Sequence, residues 1–207
     1  MNKTWKQISF SLIAPVILLS LFSLLTLYSL SLQDRDPLQI FKKQAFWFIF
    51  CFAVFYIIAR FFDYRILNTQ NFFVIGLYLF TLILLILVLL IGPNIKGTSG
   101  WLNFKFFSFQ PIELAKLALI ILLARYFATW HIEIWRPRRL LATAVYTGLY
   151  ALLAFLQPDM GSVVFFVLIW LGMLLVSGLK FKHFVILLIV FVILSLVSWQ
   201  YFLKPYQ

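Results

Sequence analysis

Residues 72–91 read FFVIGLYLFTLILLILVLLI, twenty positions without a charged side chain. At 1.5 Å per residue such a helix is about 30 Å long, which is the thickness of a bilayer's hydrocarbon core. A soluble protein can bury one helix of this kind. It cannot bury the apolar runs that flank it at about 8–30, 44–59, 111–128, 140–156, 161–177 and 184–202. The chain is 64% hydrophobic and 11% charged, against roughly a quarter charged in an ordinary soluble domain. The sequence therefore predicts an all-α, polytopic transmembrane helical bundle of about seven spans.

The net charge of +11 does not point to nucleic acid, because the basic residues occupy short loops between apolar runs. Positive cytoplasmic loops and attraction to anionic lipid account for them. Placing the N-terminus in the cytoplasm puts ten Lys and Arg inside and six outside, with Lys116 within a span. The cluster Arg136, Arg138 and Arg139 anchors the inner side. Trp5, Trp47, Trp101, Trp130, Trp135 and Trp199 fall near span ends, where indole rings rest at headgroup depth. Cys51 is the only cysteine and reads as core or lipid-facing packing. The first apolar run has no clear cleavage site and reads as a retained span. Pro158 disfavours one continuous helix through 140–177.

Residues 92–110 read GPNIKGTSGWLNFKFFSFQ. Their glycines and proline break a helix and their second half is aromatic. This predicts a loop on the outer membrane surface, or one that dips into it where protein covers its backbone. A plain linker is the alternative. No His/Cys cluster suggests a metal site, and no recognisable motif binds a cofactor.

Three charged residues interrupt apolar segments: Glu113, Lys116 and Asp159. Charges at membrane depth are costly unless paired, hydrated or facing a cavity. Glu113 and Lys116 are three apart, so they share a helix face and can pair. The pair either ties helices together or lines a polar cavity. Asp159 precedes an apolar helix, which suits an N-cap, and capping is compatible with a place in a cavity. In this topology all three lie toward the outer leaflet.

Two motifs carry a resemblance. Phe109-Gln110-Pro111-Ile112-Glu113-Leu114-Ala115-Lys116 resembles the Gln-Pro-Ser-Glu…Lys signature of the SEDS family, which includes FtsW, RodA and SpoVE. Gln157-Pro158-Asp159-Met160-Gly161-Ser162 resembles that family's Gln-Pro-Asp-Leu-Gly-Thr signature, in the expected order and spacing. Gly97…Trp101, Ser177-Gly178-Leu179 and Pro205-Tyr206-Gln207 fit the same pattern.

The resemblance implies a peptidoglycan glycosyltransferase of the bacterial cytoplasmic membrane, serving cell shape, division or sporulation. It would polymerise lipid II, the undecaprenyl-pyrophosphate-linked disaccharide pentapeptide, beside a class B penicillin-binding protein. A sugar hydroxyl would attack the anomeric carbon of the growing chain. Glu113, Lys116, Asp159, Gln110 and Gln157 match residues around the family's central cavity, and Trp101 lies in the loop before it. A divalent cation is possible in the complete family site.

There are departures. Gly100 stands where the family usually has arginine before Trp101, and Ile112 replaces the signature serine. The 207 residues read as the N-terminal part of a single transmembrane domain, about seven of the family's usual ten spans. They reach only the edge of the large extracellular loop whose aspartate the family uses in catalysis. The catalytic residue is therefore not assigned, and this chain alone is not expected to polymerise glycan. A lipid II flippase and a non-catalytic scaffold for cell-wall enzymes are the competing readings.

Overall fold

The computed structural model describes residues 10–31, 39–61, 71–92, 100–103, 108–130, 136–179, 181–189 and 191. By contact the chain divides into two compact units, residues 1–64 and 65–207.

The first unit is a pair of contacting helices, α1 (Phe10–Ser31) and α2 (Gln39–Phe61). Apart from Pro15 in α1, which has no amide to donate, their helical backbones satisfy their own polar groups, as a lipid environment requires. The few hydroxyls of α1 do the same locally. Ser20 donates to the Val16 carbonyl at 2.7 Å, and Thr26 reaches the carbonyls of Phe22 and Ser23. A Tyr28–Phe41 edge contact at 5.6 Å joins the two helices. Cys51 is exposed on α2.

The second unit holds α3 (Asn71–Ile91), a two-stranded ladder, α4 (Pro111–Trp130), α5 (Pro137–Leu156) and α6 (Met160–Val176). Residues 181–189 are also helical. The ladder pairs β1 (Leu102–Asn103) antiparallel with β2 (Ser108–Phe109), Leu102 opposite Phe109. This scrap of sheet within 92–110 is the one departure from an all-helical chain among the described residues. Residues 93–99, with Gly97, and 104–107 of that segment, and the terminus at 205–207, lie outside them.

Packing follows a seam on each helix. On α3, Val74, Tyr78, Thr81, Leu85 and Val88 are buried, at alternating spacings of four and three. That places them on one stripe. On α4, Ala115 and Ala118 are buried between larger residues and allow close backbone approach. Thr143, Thr147, Tyr150 and Ala154 form the stripe of α5. Tyr150 stacks on Phe166 of α6 with ring centres 5.3 Å apart and tilts against Tyr78 at 4.7 Å.

Hydroxyls cross-link this seam. Tyr78 Oη donates to the Tyr146 carbonyl at 2.9 Å, and Tyr150 Oη to the Tyr78 carbonyl at 3.0 Å. Tyr150 Oη also bonds Thr81 Oγ1. Trp170 Nε1 of α6 donates to Thr143 Oγ1 at 3.0 Å.

The expected break at Pro158 is present: α5 ends at Leu156 and α6 begins at Met160. The amides of Gln157 and Asp159 return to the carbonyls of Leu153 and Ala154 and close the end of α5. At the far end of α6, Gly178 has φ +92, and the amides of Gly178 and Leu179 bond the carbonyls of Leu175 and Leu174. This is a Schellman ending, which favours glycine at that position.

The expected count of about seven spans is corrected. Among the described residues four helices are long and apolar enough to cross a membrane: Ile13–Leu30, Ile40–Phe61, Phe72–Ile91 and Pro137–Leu156. The physical reasons are local. Helix α4 has the length but carries Glu113, Lys116 and Arg125. Helix α6 has 17 residues, where a span uses about 20. Most of the seventh segment lies beyond the described residues.

Candidate functional site

The end of the second unit at which α3 and α5 finish and α4 and α6 start collects the polar residues of both motifs. Pro111 occupies the first turn of α4, where its missing N–H costs nothing. The Glu113 amide bonds the Gln110 carbonyl at 3.2 Å and opens the helix. Glu113 thus sits where the helix dipole favours a negative charge.

Glu113 and Lys116 form an ion pair, Nζ to Oε1 2.7 Å. The partners differ in surroundings: the Lys116 side chain is 18% exposed and that of Glu113 is 62% exposed. Lys116 lies against α6, its ammonium 4.8 Å from the centre of the Phe165 ring. It is therefore held by a carboxylate on its own helix and a π face on another. Glu113 Oε2 has no protein partner among the described residues.

Asp159 caps α6. Its Oδ1 accepts from the Ser162 amide at 3.0 Å and its Oδ2 from the Ser162 hydroxyl at 2.7 Å. Both oxygens are occupied, and no bond joins Asp159 to the Glu113–Lys116 pair among the described residues.

Gln157 is fully buried. Its Nε2 donates to the Leu85 carbonyl of α3 at 2.9 Å, and its Oε1 has no partner. Gln110 is half-buried between β2 and α4, and Trp101 is half-buried beside β1. A Cβ placed on the buried Gly100 would lie 3.6 Å from Gln157 Oε1 and 3.8 Å from Gln110 Nε2. The two motifs, more than forty residues apart in sequence, thus meet at Gly100.

Sequence reasoning did not single out two contributors. Ser162 stands three after Asp159, the spacing of a capping partner, and that signal was available in the motif. Phe165 comes from a different helix, and nothing in its spacing marks it.

These features define a class: a multi-pass helical membrane protein with two carboxylates, a shielded ammonium and two side-chain amides gathered at one end of a bundle. Comparison places it within that class. The chain belongs to the FtsW/RodA/SpoVE family of cell cycle proteins, which it matches over residues 7–207. It is 38% identical over 116 residues to the "Probable peptidoglycan glycosyltransferase FtsW" of Haemophilus influenzae, covering 53% of this chain and 28% of that one. It resembles the rod shape determining protein RodA of Thermus thermophilus, with a TM-score of 0.70 and 25% identity, over 93% of this chain and 61% of that one. It also resembles a chain of a peptidoglycan synthase complex studied for the coordination of polymerization and crosslinking, with a TM-score of 0.68, 27% identity and coverage of 92% and 55%. The chain spans 28–48% of the length of curated relatives such as these.

Proposed function

We propose that these residues form part of a peptidoglycan glycosyltransferase in the bacterial cytoplasmic membrane, with the N-terminus in the cytoplasm and residues 92–110 at the outer face. The substrate is lipid II, and the growing lipid-linked glycan is transferred to a sugar hydroxyl. A C–O bond forms at the anomeric carbon, the bond to undecaprenyl pyrophosphate breaks, and the hydroxyl proton passes to a base. No base is assigned among the described residues.

The Glu113–Lys116 pair carries this reading. A lysine within an apolar helix, mostly shielded from solvent and aimed at the helix start, suits a diphosphate presented at the membrane surface. Glu113 holds the ammonium in place and keeps one oxygen open. Gln110, Gln157 and Asp159 border the same end. Resemblance to the probable peptidoglycan glycosyltransferase FtsW of Haemophilus influenzae supports the reaction, and resemblance to a chain of a complex that couples polymerization to crosslinking supports a crosslinking partner, which we take to be a class B penicillin-binding protein.

A resident divalent cation does not fit these residues by themselves. Such ions take about six oxygen ligands. Among the described residues no group of three or more His, Cys, Asp or Glu side chains could hold one, and Asp159 already caps α6 through both oxygens. No step is routed through a metal.

The test is reconstitution of the native polypeptide from its source membrane with a class B penicillin-binding protein and labelled lipid II. Glycan strands are expected, and Lys116→Ala is expected to lower their yield about 100-fold or more. Lipid movement between leaflets with no glycan would show a transporter. Capture of the transpeptidase with neither activity would show a scaffold.

A further inference from the structure

The unpartnered oxygen of Gln157 is the least explained atom of the described residues. It is fully buried and accepts nothing. A buried acceptor without a donor destabilises the fold that holds it. Its amide cannot simply be turned over. Nε2 faces the Leu85 carbonyl, and exchange would set oxygen against oxygen. Oε1 therefore stays turned to the Gly100 side.

Among the described residues, one side-chain amide stands there. Gln110 Nε2 and Gln157 Oε1 both lie within 4 Å of the point a Cβ would occupy on Gly100. No side chain of residue 100 intervenes, and Gln110 is only half-buried, so its side chain has room to turn. We infer that Gln110 Nε2 donates to Gln157 Oε1 across Gly100, forming an amide clasp that positions Glu113 and Asp159. Gln110 immediately precedes the helix that bears Glu113, and Gln157 lies two residues before Asp159. The Gln157 bond to Leu85 anchors the clasp to α3. The two glutamines are positioning residues, which set where the acidic helix starts stand relative to each other.

Position 100 supplies the control. A Cβ there meets only ordinary van der Waals contacts, the nearest at 3.6 Å. Gly100→Ser therefore fits, and its hydroxyl can turn toward Gln157 Oε1. Gly100→Ala fits equally and offers no donor.

The experiment follows thermal unfolding of the full 207-residue chain in nanodiscs. Gln110→Leu is expected to lower Tm by roughly 3–8 °C. Adding Gly100→Ser to Gln110→Leu should recover most of that loss, whereas adding Gly100→Ala should not. Equal rescue by serine and alanine, or a neutral Gln110→Leu, would overturn the clasp. A second readout covers a variant that fails to fold. With glutamine side chains labelled by nitrogen-15, the Gln110 carboxamide protons of the unmodified chain should exchange at least about tenfold more slowly than those of an exposed glutamine. Unprotected Gln110 protons would also overturn it. Neither measurement depends on glycan transfer, so the clasp and the proposed reaction stand or fall separately.

Discussion

Tyr150→Phe removes one oxygen from the centre of the second unit and leaves the ring in place. The Tyr150 hydroxyl bonds the Tyr78 carbonyl at 3.0 Å and also bonds Thr81 Oγ1. The substitution strands neither neighbour, because Thr81 Oγ1 still reaches the carbonyls of Leu77 and Tyr78, each at 3.0 Å. The loss is therefore the net value of two hydrogen bonds, without an added desolvation penalty. Within membrane helices such bonds average about 0.6 kcal/mol, with a maximum near 1.7. Two of them give about 1–2 kcal/mol, or a fall in Tm of roughly 2–8 °C for a chain of this size. Tyr150→Ala also removes the ring stacked on Phe166, and should cost about 3–5 kcal/mol. The assay is thermal unfolding in nanodiscs, run as a double-mutant cycle with Thr81→Val. A coupling of about 0.5–1 kcal/mol is expected between the two hydroxyls. A Tyr150→Phe protein as stable as the parent, or a coupling of zero, would show that ring packing alone holds α3 to α5.

Lys116→Met should separate stability from function. With Glu113 mostly exposed the ion pair contributes at most about 1 kcal/mol, so Tm should fall by no more than roughly 4 °C. If the ammonium faces the lipid diphosphate, glycan yield should still drop about 100-fold. Equal small losses in both would make the pair merely structural. Asp159→Ala should cost about 1 kcal/mol and speed hydrogen exchange at the Ser162 amide, while Asp159→Asn keeps most of the cap. Gly178→Ala forces a Cβ into the left-handed region and should cost about 1 kcal/mol, read as a lowered Tm.

Much of the helical layout is legible in the sequence, for a physical reason. Lipid admits only helices or closed barrels, so an apolar run of sufficient length leaves little choice. The Glu113–Lys116 pair follows from helical spacing, and the α5–α6 break follows from Pro158. Inward and outward faces are a different matter. In a soluble helix the buried face is apolar and the other polar. On α3 both faces are apolar, and Phe72 and Leu90 are as hydrophobic as the buried Val74 and Leu85. Only Tyr78 and Thr81 betray the seam, because a hydroxyl in lipid seeks a partner. Phe165 was invisible for the same reason: it is one of 25 phenylalanines, and its contact with Lys116 is set by the packing of α4 on α6. The β1–β2 ladder is too short to leave a period.

The order of polar groups along the bundle follows from what each costs in lipid. Neutral hydroxyls lie deep, at Tyr78, Thr81, Thr143 and Tyr150, where neighbouring helices offer carbonyls or hydroxyls. The charges of the two motifs, Glu113, Lys116 and Asp159, lie at helix starts. Lys116 is one turn further in than Glu113, yet Cα–Cβ bonds tilt toward the helix N-terminus, so a lysine there can extend back toward the bundle end. The order Glu before Lys is also the one the helix dipole favours. Lys116 thus keeps its ammonium over the Phe165 ring and beside Glu113. Reversing the two residues would point the cation toward water and set the carboxylate among apolar side chains, without the π face that an ammonium can use. The geometry therefore favours a shielded cation with a wetter acid beside it, which is the arrangement an incoming anionic headgroup can exploit.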